Sequence, residues 1–241
     1  MKVLILGGTG EARELAARLV ALGNDVTTSL AGRTSAPKPP EGRLRVGKFG
    51  GVPGLVAYLK AGGFDRLVDA THPYAGLISV NAVAAAERTG ILLIRYMRPA
   101  WPEPTGAGWM HVESIGAAAT ALPSGATAFV TTGHEGLGTL LARDDCSFVV
   151  RLIEPPDQPL PPHARLILSR PPYTVAGERV LFEREGISHL VSKNSGGAQT
   201  RAKLDAAAAI GVEVILIARP VYGPAREVGT MEEAVLAVTE G

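Results

Sequence analysis

Cysteine is almost absent from this chain of 241 residues: Cys146 is the single one, which excludes a disulfide within the chain. A lone thiol is typical of a reducing compartment. Aromatic residues are also scarce, at 5%, whereas 29 glycines and 18 prolines are present. This composition is typical of aliphatic strands and alanine-rich helices joined by many short turns.

Long apolar runs and an excess of charge are missing as well. The N-terminal apolar run covers only Val3 to Leu6, which is shorter than the ~7–15 apolar residues of a signal peptide. No stretch approaches the ~18 apolar residues of a membrane span. The formal net charge of +1 gives no support for a nucleic acid or membrane partner. We therefore expect a cytoplasmic protein with neither kind of partner.

Strand-like and helix-like apolar patterns alternate from the first residues. Lys2–Leu6 predicts a buried strand, and Glu11–Leu22 predicts a helix that stops at Gly23. The order predicts a parallel sheet covered by helices on both faces. The remaining predicted strands of this part are 25–30, 44–46, 66–70 and 91–96, and the remaining helices are 53–61 and 78–89.

A segment rich in proline and glycine, residues 98–108, precedes a second alternating series. We predict an α/β protein with two Rossmann-like doubly wound parallel-sheet domains, residues 1–100 and 101–241, and an interdomain cleft. We also predict an amphipathic helix at 231–239, which is able to pack on the first domain. The predicted strands of the second series are 110–112, 128–131, 148–152, 165–168, 189–192 and 213–218.

Two pairs of segments in the sequence resemble each other. GILLIRYMRPAW (90–101) and GVEVILIARPVY (211–222) both run from glycine through an aliphatic strand to Arg-Pro, one further residue and an aromatic. FDRLVDATHP (64–73) and ISHLVSKNSG (187–196) precede them. The pattern favours a duplication over the general likeness of parallel strands. Because ligands bind outside the carboxyl ends of such strands, we expect ligand-binding turns after both 66–70 and 189–192.

The first strand leads through a glycine-rich turn into a helix, LILGGTGEARELAARL (4–19). Glycines let a pyrophosphate approach the backbone, and the start of the helix offers N–H groups and the positive end of its dipole. The dinucleotide fingerprint is only partly kept, so a tight turn without a ligand is the alternative.

The second strand ends without the acidic residue that holds the ribose of NAD. Arg33 follows instead, and a guanidinium suits a 2′-phosphate. The sequence therefore favours NADP over NAD, with a solvated arginine as the alternative. We assign the cofactor site to Gly7, Gly8, Thr9, Gly10, Glu11, Ser29, Gly32, Arg33, Thr34, Thr71, His72 and Pro73.

Two segments at strand ends carry side chains suited to proton transfer. Pro73 fixes the backbone after His72, and Tyr74 joins an aromatic ring to a hydroxyl. Lys193 stands before two polar residues and two glycines, a combination typical of an anion site. A structural histidine and a solvated lysine are the alternatives. We expect no metal, because the five histidines are scattered.

Cationic residues recur at or just after predicted strands. In a nearly neutral protein this indicates a substrate with several carboxylates. These residues are Arg95, Arg98, Arg151, Arg170, Lys193 and Arg219.

Together these motifs resemble the precorrin-6A reductase family of vitamin B12 biosynthesis over nearly the whole chain. The motifs are LGGTGEAREL, DATHPYA followed by SVNA, RYMRPAW, TTGHEGL, SRPPYT and SKNSGGAQTRAKLDAA. The resemblance implies an enzyme that uses NADPH to reduce one double bond of precorrin-6A, a polycarboxylate tetrapyrrole, to precorrin-6B. It implies Tyr74, Lys193 and His72 as catalytic residues. It implies a substrate site at Tyr74, Ser79, Arg98, His134, Arg170, Lys193, Asn194, Ser195 and Arg219.

Three other functions stay open from the sequence. Reduction of cobalt-precorrin-6A, the substrate of the anaerobic branch, is the nearest alternative. A nucleotide-sugar transferase with two Rossmann domains would also have glycine-rich turns, and an NADP-sensing protein would bind the cofactor without catalysis. We expect a monomer.

Overall fold

The computed structural model describes residues 1–32 and 39–240. Contacts divide the chain into two compact units: the first is Met1–Pro99 with Pro220–Gly241, and the second, Ala100–Arg219, interrupts it in the sequence. Each unit contains one six-stranded sheet, and all neighbouring strands are parallel. The prediction of an α/β fold with two Rossmann-like parallel sheets is confirmed.

The first unit opens with five strands and three helices. In chain order they are β1 (Lys2–Leu6), α1 (Gly10–Ala21), β2 (Asp25–Leu30), β3 (Arg43–Val46), α2 (Val52–Gly62), β4 (Arg66–Asp69), α3 (Gly76–Thr89) and β5 (Leu92–Tyr96).

The second unit follows, and the chain then returns to the first unit for its last strand and helix. The second unit contains β6 (Met110–Val112), α4 (Ile115–Ala121), β7 (Thr127–Val130), α5 (Leu137–Leu141), β8 (Ser147–Leu152), β9 (Ala164–Leu168), α6 (Val175–Glu185), β10 (His189–Lys193), α7 (Ala202–Ile210) and β11 (Glu213–Ile217), with a short 3-10 turn, Ala198–Thr200, before α7. The returning segment forms β12 (Arg226–Val228) and α8 (Met231–Thr239).

The two sheets share one strand order over five of their six strands. The first reads β12-β5-β4-β1-β2-β3 and the second β6-β11-β10-β7-β8-β9. From β1 to β5 and from β7 to β11 the chain runs outward from a central strand and then restarts on its other side, so the order reverses between β1 and β4 and between β7 and β10. The sixth strand lies at the same edge of both sheets, but it is the last strand of the first unit (β12) and the first strand of the second (β6). Ligands of such sheets bind at this reversal. The common order supports the duplication inferred from the sequence.

Strand β1 shows why a continuous apolar run is needed in the centre of such a sheet. Val3 and Ile5 pack with α1 and α8, whereas Leu4 and Leu6 pack with α2 and α3. Both faces of the strand are therefore buried, as is usual for parallel sheets.

The predicted strands and the four bounded helices lie within two residues of observed elements at each end. Strand β12 was not predicted, because two of its three residues, Arg226 and Glu227, are charged. Within the described ranges, no helix combines the length and the apolar composition needed to cross a bilayer.

Candidate functional site

The glycine-rich turn brings the N-terminus of α1 to the carboxyl end of β1. Gly8 has a φ of 122°, which disfavours any side chain. A Cβ added to Gly7 would lie 2.8 Å from the Thr28 side chain. Thr9 is the N-cap of α1, and its Oγ1 accepts from the Ala12 N–H at 3.0 Å. The turn therefore has the close backbone and the helix start that bind a phosphate.

The segment 71–74 lies directly beside this turn, as the sequence predicts for neighbouring strand ends. The Thr9 hydroxyl donates to the carbonyl oxygen of Ala70 at 2.9 Å. Ala70 follows β4, which pairs with β1 where the strand order reverses. The predicted cofactor turn and the predicted catalytic turn thus meet at one edge of the first sheet.

Replacing Thr9 by valine should destabilise the protein by about 2 kcal/mol, because both a helix cap and a donor to Ala70 are lost. Equilibrium urea unfolding without ligand measures the change. Thr9→Ser keeps the hydroxyl and should stay within about 0.5 kcal/mol of the wild type. Equal stability of the valine variant and the wild type would show that the two hydrogen bonds contribute nothing.

Two predicted site residues of the first unit form an ion pair. Arg98 Nη1 lies 2.7 Å from Glu11 Oε1. Burial alone would raise the pKa of Glu11, but the charge of Arg98, backbone and side-chain hydrogen bonds and the charge of His72 together lower it. Glu11 is therefore ionised at the start of α1, where the helix dipole also favours a carboxylate.

Local hydrogen bonds fix the conformation of the segment 71–74. Asp69 Oδ1 accepts from the Thr71 hydroxyl at 2.6 Å and from the Thr71 N–H at 3.2 Å. The Tyr74 N–H points to His72 Nδ1 at 3.3 Å, so a neutral His72 carries its proton on Nε2. The His72 and Tyr74 rings lie 5.8 Å apart. Ser79, further along in α3, is buried.

The predicted 2′-phosphate site is described in part. Ser29 and Gly32 lie at and after the end of β2, whereas Arg33 and Thr34 lie outside the described residues. Arg45 was missed by the sequence analysis. It pairs in register with Ser29 and donates to the Ser29 hydroxyl at 3.1 Å. The sequence signal that could have identified Arg45 is a cation on the predicted strand that follows β2, because β3 pairs with β2 and brings Arg45 next to Ser29.

Lys193 lies at the equivalent edge of the second sheet, at the end of β10. Its Nζ is 3.9 Å from Glu135 Oε2, and its side chain is only 11% exposed against 77% for Glu135. Burial lowers the pKa of Lys193, and the charge of Glu135 opposes that effect. The pair joins the turn after β7 to the end of β10, as Thr131 and Ser192 do through their hydroxyls, 3.1 Å apart.

Other predicted residues of the second unit lie in the turn after β7 and in the segments after β10 and β11. His134 is exposed beside Glu135, and Ser195 is buried. Arg219 Nε donates to the Asn194 carbonyl oxygen at 2.7 Å, while Asn194 Oδ1 accepts from the Trp101 N–H at 2.9 Å. Glu135 and Trp101 were not among the predicted site residues, because their roles depend on contacts between distant segments.

Not every cation at a strand end faces a ligand site. Arg95 lies 3.6 Å from Asp69, and Arg151 lies 2.6 Å from Glu178; the side chains of both pairs are buried. The interpretation of Arg95 and Arg151 as substrate-facing cations is therefore wrong: they are internally neutralised. Arg170 pairs with Glu154 at 2.6 Å. It follows β9, three strands from β10, which is about 14 Å at ~4.8 Å per strand.

A polar atom at the edge of the second sheet has no hydrogen-bond partner among the described residues. Thr132 Oγ1, after β7, is buried and has no hydrogen-bond partner in the described part of the chain. In residues 1–32 and 39–240, no three His, Cys, Asp or Glu residues are grouped so as to hold a metal ion. Whether the two sheet edges line one cleft stays a prediction.

Comparison with known proteins identifies one family whose members match this chain over both units. The family described as Precorrin-6x reductase CbiJ/CobK matches residues 2–239. The precorrin-6A reductase of Rhodococcus erythropolis is 46% identical over 228 residues, 94% of this chain and 92% of that protein. That of Rhodobacter capsulatus is 44% identical over 237 residues, 98% and 94% of the two chains. A solved structure of CobK precorrin-6A reductase is 42% identical, with a TM-score of 0.92 over 100% of this chain and 98% of its own.

Proposed function

The chain belongs to the CbiJ/CobK family of precorrin-6x reductases, and from this membership we propose that it uses NADPH to reduce precorrin-6A to precorrin-6B. Its role as an oxidoreductase of cobalamin biosynthesis follows from the family. The cofactor and the product are the proposed parts. One observation carries them: the glycine turn at the start of α1 contacts the segment after β4 through Thr9 and Ala70.

The two structural units are proposed to be the functional domains, with the first one holding NADPH. Gly8 has open space where a Cβ would lie, which leaves the backbone accessible to the pyrophosphate, whereas Gly7 is needed for close packing against the Thr28 side chain. Thr28 Oγ1 is buried beside Gly7 and has no hydrogen-bond partner among the described residues. Arg33 follows β2 in the sequence, and Arg45 lies on β3 in register with Ser29. These residues fit a phosphorylated dinucleotide better than an unliganded turn.

NADPH supplies the hydride when bound, and the protein must supply a proton to the neighbouring ring carbon. Lys193 is our first candidate, because burial lowers the pKa of its ammonium and a better acid at neutral pH results. Tyr74 is the second, positioned by the turn that also carries His72. Glu135, being exposed and 3.9 Å from Lys193, is placed to return a proton from solvent to the lysine.

The carboxylates of the tetrapyrrole are proposed to bind cations at the two sheet edges. Arg98 and Arg219 lie two residues after the ends of β5 and β11, and Lys193 is the last residue of β10. Because Arg95 and Arg151 are buried in ion pairs, these three residues with His134 and Arg170 carry the proposal. We propose that the substrate is precorrin-6A, without cobalt, as in the names of the two relatives described above. We also propose that the enzyme is monomeric and cytoplasmic.

Titration of protein fluorescence with NADPH and NADH, followed by incubation with NADPH and precorrin-6A, tests the proposal. NADPH should bind more tightly, and the absorption of the macrocycle should change with consumption of NADPH. Binding of neither nucleotide would refute the proposed reaction. Turnover of cobalt-precorrin-6A alone would assign the enzyme to the anaerobic branch.

Replacing Arg33 by alanine should weaken NADPH binding by about 10–100-fold, because a charge-assisted contact to the 2′-phosphate is lost. NADH lacks this phosphate, and its dissociation constant should stay within about twofold. Arg43→Ala is a matched control, since Arg43 pairs with Asp25 at 3.2 Å. Equal weakening of both nucleotides would contradict the assignment.

A further inference from the structure

The chain passes between the units twice, each time through the repeated Arg-Pro-x-aromatic segment. The division falls after Pro99 and after Arg219. The aromatic that ends each repeat, Trp101 or Tyr222, therefore belongs to the unit that the chain is entering. Each crossing is followed by the outer strand of that unit, β6 or β12, which pairs with β11 or β5.

Tyr222 contacts the segment 71–74. Its hydroxyl donates to the carbonyl oxygen of Pro73 at 2.8 Å. The Tyr222 ring lies 5.2 Å from the Arg95 guanidinium, which also donates to the Gly223 carbonyl oxygen at 3.1 Å. The buried Arg95 thus fixes the segment that carries Tyr222, and Tyr222 in turn holds the peptide next to Tyr74.

Trp101 makes the corresponding contact in the second unit. Its indole Nε1–H donates to the Gly197 carbonyl oxygen at 2.8 Å, and its backbone N–H donates to Asn194 Oδ1 at 2.9 Å. The ring is buried, with Lys203 Nζ 4.8 Å from its centre. Trp101 therefore holds both ends of the loop that begins after Lys193.

We infer that Tyr222 and Trp101 are positioning residues for the reaction. Each places the turn that carries a proposed proton donor: Tyr222 acts on the turn of Tyr74, and Trp101 acts on the loop of Lys193. The equivalence is expected of a duplicated chain, because the turns after β4 and β10 occupy the same position in their sheets. The inference rests on the proposed function for the identity of the reaction. The contacts of Tyr222 and Trp101 themselves do not depend on that function.

Tyr222→Phe tests the first contact, with Tyr58→Phe as the control. Tyr58 packs between Phe49 and Phe64 in the same unit. Without the Tyr222 hydroxyl, amide hydrogen exchange in the peptide 71–75 should accelerate about tenfold. The kcat should fall about tenfold and the KM for NADPH should rise to a smaller extent, because Pro73 is also assigned to the cofactor site, while the unfolding midpoint changes little. The control should move neither exchange nor kcat.

Trp101→Phe tests the second contact, with Trp109→Phe as its control, since Trp109 is a second buried tryptophan of the unit. Faster exchange at 194–198 and a lower kcat are expected for Trp101→Phe alone. Unchanged exchange in the affected segment would overturn the inference, as would faster exchange with unchanged kcat. A wild type inactive with NADPH would refute the proposed function instead, and the exchange measurements would still decide whether the aromatics order these turns.

Discussion

Replacing Lys193 by methionine is expected to lower kcat by about 10²–10⁴-fold, the range for loss of a general acid. The ammonium lies at the end of the central strand β10 with a side chain only 11% exposed. Methionine has a similar length and fills the same space without a proton to donate. Single-turnover absorption of the macrocycle with saturating NADPH measures the change.

The matched control for this prediction is Lys60→Met, an exposed lysine of α2. It should keep kcat within about twofold, as exposed substitutions away from a site do. NADPH binding to Lys193→Met should also be retained, because the proposed cofactor turn is in the first unit. A kcat within about threefold of the wild type would leave Tyr74 or water as the donor.

The pH dependence of the same reaction gives an independent check of the lysine. Burial lowers the pKa of Lys193 despite the nearby charge of Glu135. The protonated form is the acid, so the rate should fall as pH rises through this pKa, below the value of about 10.4 for an ordinary lysine. Glu135→Gln removes the opposing charge and should move the fall to lower pH. No shift would exclude Lys193 as the titrating group.

Replacing Asp69 by asparagine should destabilise the protein by about 3 kcal/mol, the lower part of the range for breaking a buried ion pair. The Asp69 and Arg95 side chains are 2% and 1% exposed, so the guanidinium would keep a charge without its buried partner. Asparagine can still accept from Thr71, as Asp69 does. Urea unfolding with and without NADPH measures the loss.

Glu227→Gln provides the control, because it removes the other carboxylate on the same arginine. Glu227 lies 3.0 Å from Arg95 but is 57% exposed, so its loss should cost about 1 kcal/mol or less. Arg95→Met in the Asp69→Asn background should recover stability, since no buried charge then remains. Equal costs for Asp69→Asn and Glu227→Gln would show that burial of the pair does not matter.

The sequence predicts the fold well because the central strands of both sheets are continuous apolar runs. Each predicted strand of this kind, such as Lys2–Leu6, is found in the structure. Strand β12 has no such pattern: it pairs through its backbone with β5, a partner more than 120 residues earlier in the chain. A strand whose existence depends on a distant partner leaves little trace in its own residues.

The candidate site, like the fold, was predicted where local sequence patterns decide it and not where contacts between distant segments do. The sequence is sufficient to place turns 7–10 and 71–74 together, since both follow strands of one sheet and the order of such sheets is known. The sequence does not show which cations are neutralised. Arg95 and Lys193 both stand near strand ends, yet Arg95 meets Asp69 in the interior and Lys193 meets Glu135 at the surface. That difference arises only when separate segments pack.

The interrupted first unit has a consequence for synthesis. Its core combines Val3, Ile5 and Leu15 with Val228, Met231 and Val238 from the end of the chain. The second unit contains its whole sheet in one uninterrupted stretch. During translation we therefore expect the second unit to complete its sheet before the first, because β12 and α8 of the first unit are made only after Arg219. This would reverse the usual N-to-C order in which domains become folded.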